Sequence, residues 1–243
     1  MKKTRARLDV VLVERGFFPT RAKASAALMA GQVLVKGRST LKPGTPVLNG
    51  IEIEILRPSP YVSRGGLKLE GALDAFHINP AGRVCLDVGA STGGFTDCLL
   101  QRGAIKVYAV DVGAAQLDVK LRSDPRVVVR EKTHARDIQP AQFDPWPDVA
   151  VIDVSFISLA RVLPPVLPCL RPGFDIIALI KPQFELEPKK VPKGIVREAR
   201  WREEAVAKIR ALAYELGLKE RGLIESPLRG AKGNIEYLLH LKC

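Results

Sequence analysis

Four charged residues stand at the ends of separate elements in this 243-residue chain. Asp153 closes the apolar run Val149-Ala150-Val151-Ile152, and Lys181 closes Ile176-Ile177-Ala178-Leu179-Ile180. Lys68 lies in a helix expected over about 66–77, and Glu236 sits at the start of the last apolar run, Ile235 to Leu241. In open α/β sheets, ligands bind where the strands end at their carboxyl edge. A final antiparallel strand begins at that same edge, which brings Glu236 to the other three. A lysine sharing a partly desolvated site with a second cation and two acids loses its proton more readily than in water, and can then act as a general base.

A glycine-rich turn lies beside them. Asp87-Val88-Gly89-Ala90-Ser91-Thr92-Gly93-Gly94-Phe95 falls where the first strand gives way to a helix, the position at which small residues let a nucleotide-like ligand approach the backbone. A dinucleotide fingerprint wants glycine where Ser91 stands, which disfavours a diphosphate packed on this turn. Asp111 ends the second strand, 22 residues after Gly89, where a carboxylate can accept hydrogen bonds from two ribose hydroxyls. Enzymes of nicotinamide dinucleotides and of S-adenosylmethionine both use such an acid, so these residues alone leave both cofactors open.

Alternating strands and helices would hold those residues. From residue 61 onward, strands are expected at 84–88, 106–111, 127–129, 149–154 and 175–180, with helices at about 66–77, 94–102, 114–122, 157–170 and 197–216. That alternation predicts a doubly wound parallel sheet, and the Gly230-Ala231-Lys232-Gly233-Asn234 turn predicts an antiparallel last strand. The first 56 residues read differently. A short helix at 8–17 stops near Gly16, a second starts at Thr20 as N-cap and stops at Gly31, and strand material follows at 33–35 and 47–56. The prolines of Arg57-Pro58-Ser59-Pro60 suit neither helix nor ladder, so the expected division is residues 1–56, a linker at 57–62 and a large domain at 63–243.

Composition narrows the class. No stretch reaches the roughly 20 uncharged apolar residues of a spanning helix, and the basic N-terminus lacks the apolar segment of a signal peptide, so a soluble cytoplasmic protein is expected. Cys85, Cys98, Cys169 and Cys243 show neither disulfide-framework nor zinc-ligand spacing, and no metal is expected. Net charge is +12, and residues 1–60 hold 11 Lys/Arg against 4 Asp/Glu, more than half of that excess in a quarter of the chain. Such a segment is the electrostatic footprint of a polyanion binder.

Together, Tyr61 to Leu69, the turn at 87–95, Tyr108 to Gly113, Val151 to Ser158 and Leu179 to Glu185 resemble the TlyA family of hemolysin-named ribosomal RNA 2'-O-methyltransferases. The stretch from Arg7-Leu8-Asp9 to Lys36-Gly37 is similar to an S4-like RNA-binding domain. The resemblance implies an α/β fold of two parts: a small α+β S4-like domain, then a Rossmann-like FtsJ-type S-adenosylmethionine-dependent methyltransferase domain. It implies a Lys-Asp-Lys-Glu catalytic tetrad on Lys68, Asp153, Lys181 and Glu236, acting on a cytidine ribose 2'-hydroxyl. It further implies S-adenosyl-L-methionine held by Gly89, Ala90, Ser91, Gly94, Phe95, Asp111, Val112, His134, Ala135 and Asp153, with His134 standing where the family more often has asparagine. RNA contacts are expected from Arg5, Arg7, Arg21, Lys23, Lys36 and Arg38 in the small domain, and from Arg64, Lys189, Lys190 and Lys193 near the crevice. Ribosomal RNA or ribosomal subunits are the expected partners, with no membrane and no DNA. The alternatives are a membrane-active hemolysin and a non-catalytic RNA- or ribosome-binding protein.

Overall fold

The computed structural model describes residues 5–29, 31–35, 42–48, 50–55 and 60–243. The chain divides between residues 58 and 59 into two compact units.

In the small unit, strand β1 (Arg5–Arg7) runs into helix α1 (Leu8–Glu14), and α2 (Arg21–Met29) precedes β2 (Val33–Val35), β3 (Pro46–Leu48) and β4 (Ile53–Ile55). Thr20 caps α2 as its position predicts: its Oγ1 accepts from the Lys23 N–H at 3.3 Å. β1 pairs antiparallel with β3, and β2 with β4. β1 was not expected, since three residues with charges at both ends carry no strand pattern. The two helices and these ribbons close over Leu8, Leu12, Ala24, Leu28, Val33, Val35 and Val47.

In the large unit, helix α3 (Gly65–Ala75) leads into β5 (Val84–Val88), α4 (Gly94–Gln101), β6 (Lys106–Val110), α5 (Val119–Arg122) and β7 (Val127–Arg130). Then follow β8 (Val149–Ile152), α6 (Leu163–Val166), β9 (Asp175–Ile180), α7 (Pro182–Glu185), α8 (Ala199–Glu215), β10 (Lys219–Glu225) and β11 (Tyr237–Lys242). The seven strands form one sheet in the order β10-β11-β9-β8-β5-β6-β7. All neighbours from β9 to β7 are parallel, while β11 is antiparallel to both β9 and β10. Only β11 is therefore reversed.

Alternate residues of the central strands feed two cores. Leu86, Val88, Ile152, Ile176 and Ala178 pack on one face with Leu163 and Ile209. Cys85, Val151, Ile177 and Leu179 pack on the other with Leu69, Leu73 and Leu99. Burial on both faces explains why these strands read as continuous apolar runs.

Three sequence expectations need correction. The helix at 114–122 shrinks to α5, because the Glu131 carboxylate takes the N–H groups of Ala115 and Gln116, Ala115 turns to φ 54°, and Asp118 caps the remainder. The helix at 157–170 breaks into a 3-10 turn at Leu159–Arg161, α6 and another 3-10 turn at Leu167–Cys169, since Pro164, Pro165 and Pro168 bring no N–H to a continuous ladder. β10 was missed: it is an edge strand whose Lys219, Glu220 and Arg221 are exposed, so alternation is absent.

At the sheet end opposite the strand carboxyl termini, Asp175 accepts from Arg83 Nη1 at 2.9 Å and lies 2.9 Å from His240 Nε2. Burial alone would raise its pKa, yet these bonds hold it down to about 2. A carboxyl depressed in the folded state stabilises fully above the unfolded value near 4, and that share is lost as pH falls toward 2. In urea unfolding of the full chain between about pH 5 and pH 2, we expect Asp175→Asn to remove roughly 2 kcal/mol of the acid dependence of the large unit. An unchanged acid limb would refute this assignment.

Candidate active site

The parallel register delivers two of the four charged residues side by side. Ile152 of β8 pairs with Ala178 of β9, so Asp153 and Lys181 leave neighbouring strands at the carboxyl edge. Reversal of β11 delivers the third: Tyr237 pairs with Ile180, which sets Glu236 opposite Lys181. Lys68 comes from α3 and meets Glu236 from the other side.

Two ion pairs result. Lys68 Nζ donates to Glu236 Oε2 at 2.6 Å, and Lys181 Nζ lies 2.6 Å from Asp153 Oδ1. The second is a close ion-pair contact in which the ammonium is not aimed squarely at the carboxylate oxygen. Instead, Lys181 Nζ donates to Ser155 Oγ at 2.8 Å and sits 6.0 Å from the centre of the Phe184 ring. Gln183 Nε2 donates to Glu236 Oε1 at 3.2 Å, and the Gly230 backbone closes so tightly over that carboxylate that a side chain there would overlap it.

The glycine turn packs against the same residues. Gly89 sits at φ 90°, and a Cβ there would overlap the Asp153 carbonyl oxygen, so only glycine lets the turn and the Asp153 backbone meet. Gly94 similarly lets the start of α3, with Ser63 and Gly65, rest on the start of α4. The outcome is a crevice of about 340 Å³, lined by Ser63, Arg64, Lys68, Gly89 to Thr92, Gly94, Phe95, Asp153, Ser155, Lys181 and Leu228 to Ala231. It lies where β5 passes to β6 on one side and has β8 on the other, the switch point of the sheet.

Of the residues expected to hold a cofactor, Gly89, Ala90, Ser91, Gly94, Phe95 and Asp153 line this crevice. Asp111 stands at its edge: Oδ2 accepts from the Ser91 N–H at 2.8 Å and Oδ1 from the Gly113 N–H at 2.7 Å, with lone pairs left on both oxygens. Val112 is exposed, and the His134-Ala135 turn lies beside Asp111 because the Thr133 N–H donates to the Asp111 carbonyl at 3.0 Å. His134 itself is exposed and does not line the crevice.

Polar satisfaction is uneven here. Burial pushes the Asp87 carboxyl up to about 7, with Asp153 and Asp111 adding to the rise and a hydrogen bond from Thr96 Oγ1 opposing it. Among the described residues, Asp87 Oδ1 and Gln183 Oε1 are buried acceptors without hydrogen-bond donors, and Arg202 Nε is a buried donor without an acceptor.

The basic residues separate into groups. Arg64 is exposed at the crevice. Lys189 pairs with Glu187, while Lys190 turns inward onto Glu204 and the Trp201 ring, which leaves Lys193 as the exposed lysine of that loop with no acidic partner among the described residues. In the small unit Arg5 and Lys23 are exposed, and Arg7 and Arg21 both reach Asp9. Lys36 and Arg38 lie outside the described residues.

Sequence reasoning missed several neighbours. Ser155, two positions after Asp153, carries no signal that sets it apart from the other serines of the chain, yet it accepts from Lys181 Nζ. Arg229 is exposed on the crevice wall with no acidic partner among the described residues. Phe156 is 91% exposed at φ 63°, with its ring centre 5.0 Å from that of Phe184. Buried Glu185 holds this segment, accepting from the Leu159 N–H at 2.8 Å and from Ser158 Oγ. No local pattern marks an exposed aromatic as different from any other surface residue.

A family model described as FtsJ-like methyltransferase matches residues 61–243, and one described as S4 domain matches residues 6–53. A Mycobacterium tuberculosis protein named 16S/23S rRNA (cytidine-2'-O)-methyltransferase TlyA is 46% identical over 241 residues, covering 98% of this chain and 90% of that one. Hemolysin A of Brachyspira hyodysenteriae is 44% identical over 236 residues, covering 96% of this chain and 98% of that one. A solved structure of a hemolysin-named protein from Streptococcus thermophilus superposes with a TM-score of 0.78 at 43% identity, covering 99% of this chain and 89% of that one. Among the described residues, no helix is long and apolar enough to cross a membrane. With an S4 domain followed by an FtsJ-like methyltransferase domain, and relatives aligned over nearly its whole length, this chain belongs to the TlyA family.

Proposed function

We propose that the protein transfers a methyl group from S-adenosylmethionine to a ribose 2'-hydroxyl of ribosomal RNA, with cytidine as the acceptor, in the cytoplasm. The observation that carries this reading is the meeting of two lysine–carboxylate pairs with the glycine turn in one crevice of an FtsJ-like domain. The relatives' names supply the nucleotide and the class of RNA.

The residues fit the cofactor. Asp111 can accept from the ribose hydroxyls, and Gly89 to Ser91 leave room for the ligand against the backbone. When bound, S-adenosylmethionine supplies an electrophilic methyl group. Lys181 Nζ is held by Ser155 and Asp153, and in its neutral form takes the proton of the 2'-hydroxyl. Lys68 and Glu236 compensate each other's charge and fix the wall opposite, so alignment of the two reactants supplies much of the acceleration. Arg64 and Lys193 in the large unit, and Arg5, Arg7, Arg21 and Lys23 in the small one, give contacts to RNA phosphates.

A duplexed ribose presents its hydroxyl poorly, so the target nucleotide must leave its stack. Phe156 offers the surface for that base. A bulky residue at positive φ is strained by roughly 1–3 kcal/mol, and here the strain holds an apolar ring in solvent against Phe184, whose ring Lys181 approaches.

Purified protein, methyl-labelled S-adenosylmethionine and separated ribosomal subunits lacking the modification test the reaction, with nucleoside identification after digestion. Label is expected on a ribose oxygen, and Lys181→Ala should lower the rate by about 10²-fold or more while cofactor binding persists. Label on a base, or a fully active Lys181→Ala, would sink the assignment. Phe156→Ala should lower kcat/KM for RNA by roughly 5- to 150-fold, the range expected for losing one base stack. Phe156→Tyr should restore most of it, and neither variant should change the cofactor Kd. Equal loss in both would show that the ring is not a stacking surface.

A further inference from the structure

The small unit contains a charge arrangement that the methyl-transfer reading does not explain. Asp9 is a carboxylate with only 3% of its side chain exposed, in the first turn of α1. Arg7 grips it with two bonds, Nε to Oδ1 at 3.0 Å and Nη2 to Oδ2 at 2.9 Å, and Arg21 adds Nη2 to Oδ2 at 3.0 Å. Both guanidiniums stay in solvent, at 54% and 58% side-chain exposure.

These contacts hold groups that neither helix requires. Arg21 is the first residue of α2, where the helix dipole disfavours a cation, so its position does not serve the helix. The Arg7 guanidinium lies flat over Gly44: a Cβ there would stand 3.3 Å from Nη1 and 3.5 Å from both Cζ and Nη2. The strand-to-helix junction is fixed as well, since the Leu8 N–H donates to Thr45 O at 2.9 Å and the Asp9 N–H to Pro43 O at 3.0 Å. Arg7 keeps three N–H groups free of Asp9 and Arg21 keeps four.

We infer that Asp9 is a positioning residue for RNA: a buried anion that locks two exposed guanidiniums into one pre-set phosphate clamp. Ordering the two side chains before binding removes most of the rotamer entropy that RNA would otherwise have to overcome. The three groups carry a net charge of about +1, enough to neutralise one phosphodiester, and charge-assisted guanidinium–phosphate bonds give the clamp its geometry. The two arginines hold the Asp9 carboxylate well below its ordinary range, in opposition to burial, so it stays ionised at neutral pH. This inference rests on the proposed RNA surface of the small unit and adds the residue that organises it.

The clamp makes a prediction opposite to charge counting. Asp9→Asn removes a negative charge from an RNA-binding protein, which by net charge alone should tighten binding. We expect it instead to weaken binding of the full-length protein to unmodified transcripts of 16S and 23S ribosomal RNA by about five- to tenfold at constant salt. Gly44→Ala leaves every charge in place and crowds Arg7, and should weaken binding several-fold. In the Arg7→Ala/Arg21→Ala background, Asp9→Asn should have almost no further effect, a coupling that a purely structural role for Asp9 would not produce. Thermal unfolding of each variant identifies any loss of fold. Unchanged or tighter binding by folded Asp9→Asn, or an equal loss in the arginine-free background, overturns the inference and leaves the RNA reading standing. Wild-type affinity in the Arg7→Ala/Arg21→Ala protein overturns both.

Discussion

Lys181 and Asp153 face each other at 2.6 Å on adjacent parallel strands, and the remaining geometry of the crevice accommodates that pair. Partly burying two opposite charges costs several kcal/mol in desolvation, offset only if partners are held accurately. The sheet provides the accuracy. Parallel register fixes where Asp153 and Lys181 leave β8 and β9, and the antiparallel register of β11 fixes Glu236 across from Lys181. Gly89 admits the Asp153 backbone, Gly94 admits the start of α3, and α3 then brings Lys68 to Glu236. A shift of one residue in any of these registers would turn a charged side chain away from the crevice.

The parts of this arrangement that show in the sequence are those with a local cause. A strand buried on both faces must be a continuous apolar run, so a charge at its end is conspicuous, as with Asp153 and Lys181. A turn that needs small residues shows as glycine, as at Gly89 and Gly94. The reversed strand was legible through the turn at 230–234 before it. What did not show has tertiary causes. β10 starts with the exposed Lys219-Glu220-Arg221, and only Leu223 and Ile224 pack against the cores, so it has no pattern to read. Ser155, Gln183 and Arg229 have ordinary side chains in irregular segments, and they join the site only through the fold. Asp9 looks like any helix-start acid until Arg21, 12 residues away, folds back onto it.

Basic residues illustrate the same division. A count of lysines and arginines places the polyanion surface in the first quarter of the chain, but it cannot tell a free cation from an occupied one. Lys190 is held by Glu204 and Trp201, whereas Arg229, outside the expected set, is free of any acidic partner among the described residues. Arg7 and Arg21 are an intermediate case: each has a partner, and the partner is what aims them.

The two ends of the large sheet show how stability and chemistry are partitioned. At the amino ends of the parallel strands, Asp175 has Arg83 and His240 as close partners and Lys242 at 3.6 Å, a satisfied network that lowers its pKa. At the carboxyl ends, Asp87 is raised to about 7, and one of its buried oxygens has no hydrogen-bond donor among the described residues. Both ends bury carboxyl groups in the same scaffold, so burial alone does not account for the contrast. The difference is the supply of donors. A buried acceptor left unmet costs roughly 1–3 kcal/mol. The satisfied network at the amino ends therefore offsets the cost of the poorly satisfied carboxyl at the opposite end of the same sheet.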